Sequence, residues 1–275
     1  MCGRYTLVSK VEVIKSTFNV NADFPHFFNP NIAAADQAPV ITSAAPNQLQ
    51  LFQFGMQPPW ATKSMLLLNA RMEGDQNPDD NMHYRGSPGI IYKPAFRKPI
   101  RTQRCLIPAD AFIEGPKEAR LQEPFLVFQV AAHKPFAFAG LWEQWKDLKT
   151  GQWRTGFCII TRPPLPVVQQ LGHHRSPLVI APEHYHTWLN AQAELHDISQ
   201  ILSTGHDQHD WNAYPLHRNI SKAANKDLYI LQPQGVPVLP LEQWRFVTEL
   251  KLSGMGASQA REKRQQEQHQ LRLFK

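Results

Sequence analysis

The chain has no apolar run near 18 residues and no segment of the secretory-leader type, so membrane-spanning and secretory fates are not expected and a cytoplasmic protein is. Only three cysteines occur, Cys2, Cys105 and Cys158, and none stand in a CxxC pair. An odd, scattered set argues against a disulfide framework and for reduced thiols. No HExxH, GxSxG, P-loop or GxGxxG is present, which leaves zinc-protease, hydrolase, NTPase and dinucleotide chemistry without support. The 12 histidines do not repair this. His173 and His174 are adjacent and point to different faces of an extended segment, and His184 and His186 are spaced wrongly for one helix face. No metal and no cofactor are expected. There is no internal repeat and no internal linker.

What is present is ordinary globular material: 275 residues, 42% hydrophobic and 19% charged. Residues 1–240 read as one domain, and 241–275 as a basic Gln/Arg/Lys-rich tail outside the core. The net charge of +6 is uneven. Residues 85–105 hold six basic side chains and no acid, and 251–275 hold six basic and two acidic ones, so the remainder carries −4. A basic stripe on a faintly acidic body suits a polyanion-binding face, and equally a solvated charge run.

Residues 4–8, 38–43 and 49–54 have strand patterns, and 12–20 reads as a short helix. Residues 25–36, with Pro and Asn and no periodicity, read as loop. The run Leu66–Leu68 gives way to Asn69, Arg71 and Glu73, which share one face if the segment is extended. Residues 74–92 are Gly/Asp/Asn/Pro-rich and read as a mobile loop. Cys105–Glu114 leads from an apolar strand to a carboxylate, and Gly115-Pro116 turns the chain. Residues 124–145 read as a β-hairpin, 153–161 as a buried strand and 182–202 as a helix. Cys105 and Cys158 sit in apolar strands and are expected to be buried.

The start of the chain is its most reactive stretch. Removal of Met1 before the small Cys2 would leave an α-amine and a thiol on adjacent carbons, with ordinary pKa values of about 7.7–8.0 and about 8.5. A 1,2-aminothiol condenses with an aldehyde to a Schiff base and then a thiazolidine. The same pair also suits an N-terminal nucleophile in acyl transfer. Asn69, Glu114 and His173 are further reactive groups at apolar segment ends. Singly, each has a plain reading: a turn amide, a surface carboxylate, a loop histidine. Trp60, after Pro58-Pro59, is either a buried anchor or a base-stacking platform.

Together these residues carry a resemblance. Met1-Cys2-Gly3-Arg4-Tyr5, Asn69-Ala70-Arg71-Met72-Glu73, Arg104-Cys105-Leu106-Ile107-Pro108-Ala109-Asp110-Ala111-Phe112-Ile113-Glu114 and His173-His174-Arg175-Ser176-Pro177 are similar, in order, to the motifs of the SOS response-associated peptidase (SRAP) family. This chain has Ala111 where the family has glycine, and Gly115 where it often has tryptophan. The resemblance implies an α+β fold, a strongly bent, partly barrel-like mixed sheet with flanking helices. It further implies a monomer that recognises abasic sites in single-stranded DNA and traps them as a covalent thiazolidine through Cys2. Cys2, Asn69, Glu114 and His173 would be catalytic; Arg4, Trp60, Arg71 and Arg175 would bind DNA. A lyase activity is implied beside it. The rivals are an N-terminal-cysteine thiol (auto)peptidase and a non-enzymatic single-strand-binding module.

Overall fold

The computed structural model describes residues 2–130, 134–204 and 210–240; the tail expected at 241–275 lies outside them. The described strands run β1 Tyr5–Leu7, β2 Asn21–Ala22, β3 Asn29–Ile32, β4 Gln37–Thr42, β5 Ala45–Phe54, β6 Asn69–Arg71 and β7 Arg104–Ala109. They continue as β8 Ala111–Glu114, β9 Phe125–Gln129, β10 Phe136–Lys146, β11 Trp153–Arg162, β12 Ser176–Pro177, β13 Val179–Ile180 and β14 Trp211–Pro215. The helices are α1 Val11–Phe18, α2 Pro99–Thr102, α3 Pro166–Gln170, α4 Tyr185–Leu189 and α5 Leu195–Thr204. None of them is long and apolar enough to cross a membrane.

Five strands close on themselves. β4 pairs with β5 and β7, β7 with β10, and β10 with β11, all antiparallel. A short parallel contact, Gly156 against Gln53 and Phe157 against Phe54, joins β11 back to β5 and shuts the ring. Closure needs backbones to meet, and Gly156 permits it: a Cβ there would sit 2.3 Å from the Gly55 carbonyl oxygen. Because one of its contacts is parallel, the barrel is mixed. A second, antiparallel sheet runs β14-β9-β8-β1-β3. The fold is therefore the α+β arrangement with a bent, barrel-like sheet that the sequence implied.

The two sheets share one core. Phe54 and Phe157 stack 5.3 Å apart across the closure, and Tyr5 meets Phe54 and Phe138 edge-on at 5.6 and 5.7 Å. Tyr5 belongs to the second sheet and Phe138 to the barrel, so these contacts weld the layers. Cys105 in β7 and Cys158 in β11 are buried there as expected, and burial pushes the Cys158 thiol up to about 12. The chain passes from barrel to second sheet at Asp110, between β7 and β8. Its carboxylate accepts from the backbone N–H of Val8 (2.6 Å) and Ser9 (2.8 Å) and from the Ser9 hydroxyl (2.6 Å). That fixes β8 beside β1 and sets the position of Glu114 at its end.

Three local expectations are corrected. Residues 25–36 are not all loop: Asn29–Ile32 is a strand, its pairing with β1 outweighing two asparagines and a proline. Residues 124–145 are not a hairpin, since β9 pairs with β8 and β14 while β10 pairs with β7, β11 and β13. The stretch 182–202 is broken after α4, where Asn190 leaves helical geometry (ψ 105°) before α5 begins.

Candidate active site

β8 delivers Glu114 and the turn after α3 delivers His173. The His173 Nε2 lies 3.4 Å from the Glu114 Oε2, and both side chains are buried. Burial pushes the Glu114 carboxyl up to about 7, against the pull of the amino-terminal charge. Burial also drives His173 down to about 4, with the amino-terminal charge adding to it. At neutral pH the pair is thus a neutral imidazole beside a carboxyl close to half-protonated. Glu114 Oε1 is buried without a hydrogen-bond partner. An orphaned buried acceptor of this kind is uncommon and suits an incoming donor.

Cys2 lies near enough to Glu114 to feel its charge. β1 runs antiparallel to β8, with Tyr5 opposite Phe112 and the Ile113 N–H donating to the Arg4 carbonyl at 3.0 Å, so the residues before β1 pass beside the end of β8. Cys2 is fully buried, and its thiol points to the Arg4 carbonyl oxygen at 3.7 Å. Burial first and the Glu114 charge second raise the thiol well above its ordinary value. The sulfur is therefore a thiol, not a thiolate, at neutral pH.

Asn69 opens β6, a three-residue strand held parallel to β11 by Asn69 opposite Ile159 and Arg71 opposite Thr161. Ala70 points into the core, so Asn69 and Arg71 share the outer face, as extended geometry requires. The Asn69 Oδ1 is a second buried acceptor without a partner. Beyond β6 the chain turns at Gly74 (φ +57°), and Glu73 is fully buried.

Glu73 anchors a charge network. Arg175 clasps it with two donors, Nη1 to Oε1 and Nη2 to Oε2 (2.9 Å), and also gives Nη2 to the Thr161 carbonyl at 3.0 Å. Asp80, from the 74–92 loop, accepts from Arg71 Nη2 at 2.9 Å and Arg175 Nη1 at 3.0 Å, and the His174 Nε2 lies 2.9 Å from its other carboxylate oxygen. Glu73 is pulled below the usual carboxylate range: its burial raises it, but hydrogen bonding and charge from Arg175 outweigh that.

Arg4, Arg71, Glu114, His173 and Arg175 line one cleft of about 560 Å³. Trp60, Asn69 and the fully buried Cys2 do not line it. Trp60 stands 61% exposed on the Pro58–Trp60 turn, not as a buried anchor. Arg4 is partly committed, donating to Asn31 Oδ1 at 2.8 Å and to the Ile220 and Ser221 carbonyls at 3.2 and 2.8 Å. Arg104, counted in the basic stripe, is fully buried and gives its donors to the carbonyls of Trp188, Ile100, Arg101 and Asn190, so it is no part of a surface. Sequence reasoning missed Asp80 and His174 as parts of the site. No local signal marks Asp80, whose partners stand 9 and 95 positions away.

A closed mixed barrel, with a second sheet that brings a buried glutamate beside His173 and near Cys2, defines the class of protein. The family model described as SOS response associated peptidase (SRAP) matches residues 1–223, and the chain belongs to that family. Among its relatives, Abasic site processing protein YoaM of Bacillus subtilis (strain 168) is 30% identical over 243 residues, 86% of this chain and 99% of that one. Abasic site processing protein YobE of the same organism is 30% identical, covering 78% of this chain and 93% of its own. YoqW of Bacillus phage SPbeta, also named an abasic site processing protein, is 28% identical over 84% of this chain and 99% of its own. An X-ray structure of a protein from Bacteroides thetaiotaomicron superposes with a TM-score of 0.68 at 23% identity, covering 84% of this chain and 99% of that one. One from Bordetella bronchiseptica gives 0.60 at 20%, covering 78% and 100%. These two likenesses concern the fold.

Proposed function

We propose that this protein processes abasic sites in DNA, capturing them in single strands as a covalent thiazolidine on Cys2 after loss of Met1. The observation that carries the reading is the buried Glu114–His173 pair, 3.4 Å apart, whose carboxyl sits at about 7 and whose charge is felt by Cys2. The names of the relatives supply the substrate class.

The ring-opened sugar of an abasic site exposes an aldehyde at C1′. With the Cys2 thiol held protonated, the amine adds first, forming a C–N bond. Protonated Glu114 gives the departing hydroxyl its proton, water leaves, and a Schiff base remains. Glu114 near 7 is poised for this, since general acid–base groups work best with a pKa close to ambient pH. The sulfur then adds to the imine carbon and its proton ends on nitrogen, closing the five-membered ring with no change of oxidation state. The orphaned Asn69 and Glu114 oxygens are acceptors for the amine or sugar hydroxyls, and neutral His173 orients a sugar oxygen. Loss of the β-phosphate from the Schiff base competes with closure and accounts for a lyase side reaction. Arg71, Arg4 and Arg175 line the cleft as partners for flanking phosphates, and exposed Trp60 offers a stacking face to the strand beyond the cleft. A thiol peptidase reading fits less well, because it needs a thiolate where burial disfavours one.

The test is a single-stranded oligonucleotide with one abasic site, run with protein whose N-terminus is shown by intact mass to be Cys2. A heat-resistant shifted band on a denaturing gel, absent in Cys2→Ala and with an intact strand, is the expected result. No band from correctly processed protein removes the reading.

A further inference from the structure

The cleft already holds an anion, and it belongs to the protein. Two guanidinium donors and an imidazole nitrogen, from two separate segments, converge on the Asp80 carboxylate: Arg71 Nη2 at 2.9 Å and Arg175 Nη1 at 3.0 Å on Oδ1, with His174 Nε2 lying 2.9 Å from Oδ2. Two guanidinium donors and an imidazole around one compact anion make the donor set that also suits a phosphate oxygen cluster. All four side chains line the same cleft as Glu114 and His173. Asp80 reaches them from the 74–92 loop in a left-handed backbone conformation, φ +55°. Asn77 braces the loop, accepting from the Arg71 guanidinium at 2.9 Å and bonding Asn81 at both its amide atoms, 2.8 and 3.0 Å.

The geometry points to Asp80 as an internal competitor for the strand's phosphate, a residue that sets how strongly a ligand must bind before it enters the cleft. The inference rests on the functional reading above for the identity of that strand. With Asp80 in place, the two guanidiniums face two carboxylates, Glu73 and Asp80, and the local charge cancels. When Asp80 leaves, Glu73 keeps its two-donor grip on Arg175, so that side chain stays where it is. Arg71, 34% exposed, and His174 are then released to an incoming phosphate, and the cluster gains one net positive charge. A ligand that offers a single weak anion does not repay the exchange; a strand that fills the whole cleft does. The loop that supplies Asp80 is this chain's own gate on its phosphate site.

Asp80→Asn removes the charge and retains a residue type that tolerates positive φ; Asp80→Gly removes the side chain altogether. Binding of inorganic pyrophosphate and of an intact single-stranded oligonucleotide is measured by calorimetry at low salt for both variants and the parent, with thermal unfolding to confirm the fold. Both variants are expected to bind both probes at least about fivefold more tightly, within the usual range of coupling between two ligands of one site. Unchanged or weaker binding by folded variants, or no pyrophosphate binding by any form, overturns the competitor and makes Asp80 a brace for Arg71 and Arg175. Abasic-site crosslinking by the parent is read separately. Its absence with tighter pyrophosphate binding in the variants strikes the proposed function and leaves the competitor standing.

Discussion

Two carboxylates buried in the same cleft region have opposite fates. Glu73 is met by Arg175 through two parallel hydrogen bonds and by Arg71 at 3.5 Å, and its acidity is strengthened. Glu114 is met by a neutral imidazole at 3.4 Å, keeps one oxygen without a partner, and rises to about 7. Both side chains are shut off from solvent, but Glu114 is the more deeply set, and its partner is a neutral imidazole where Glu73 has a guanidinium. A buried carboxylate clasped by a guanidinium becomes scaffold, and one without such a clasp becomes chemistry.

The strongest way to break this contrast is to exchange charge for amide at each site. Glu114→Gln is expected to lower the crosslinking rate by about 10²–10⁴, the usual worth of a positioned general acid or base, with the fold intact by circular dichroism. Glu73→Gln is expected to do its damage elsewhere. It breaks the buried two-donor pair with Arg175, leaving that guanidinium only the partly exposed Asp80 carboxylate, and costs up to about 3–5 kcal/mol in denaturant unfolding. If Glu73→Gln unfolds no more easily than the parent, the scaffold half of the contrast is wrong.

Linkage to pH sharpens it. Glu114 is raised from its ordinary value, so the folded state holds its proton longer than the unfolded chain does. The stability it contributes is full below about pH 4.5 and is lost as pH rises through about 7. His173 is depressed to about 4, so its contribution is full above about pH 6.5 and is lost as pH falls through 4. Glu114→Gln should therefore unfold less steeply with rising pH than the parent by up to about 3 kcal/mol between pH 5 and 8. Equal slopes in urea titrations across that range would mean that Glu114 is not shifted.

A smaller effect is expected at the turn that presents Glu114. A Cβ on Gly115 would stand 1.8 Å from the Arg120 carbonyl oxygen, so Gly115→Ala should cost about 1–3 kcal/mol as an overpacked site, read as a drop in Tm. The same collision explains why this chain has glycine where its family often carries tryptophan: the 115–123 turn folds back too closely for any side chain. The smallest effect belongs to the exposed Lys93–Asp75 pair, 2.8 Å apart. Lys93→Ala should change stability by less than about 1 kcal/mol, which an unfolding midpoint within error of the parent would bear out.

How much of this was legible depended on whether the cause was local. Glu114 was visible because an apolar strand runs straight into it, and the buried Cys105 and Cys158 were visible from their apolar neighbours. Asn69 and Arg71 on one face followed from the period of an extended chain. Pairing was not legible: the alternation in 124–145 marks two strands but does not say that each belongs to a different sheet. The strand Asn29–Ile32 was hidden because its register with β1 outweighs its composition. Asp80 was hidden most deeply, since a Gly/Asp/Asn/Pro-rich loop looks the same whether it waves in solvent or reaches back to Arg175. The four ordered motifs spoke for family and architecture; the distances that separate Glu73 from Glu114 in role came only with the fold.

The most direct measurement is the single-turnover rate of crosslinking to an abasic single strand against pH, for the parent and Glu114→Gln. An inflection near pH 7 is expected in the parent and is expected to disappear in the variant. The same profile in both proteins, displaced or not in absolute rate, would contradict it.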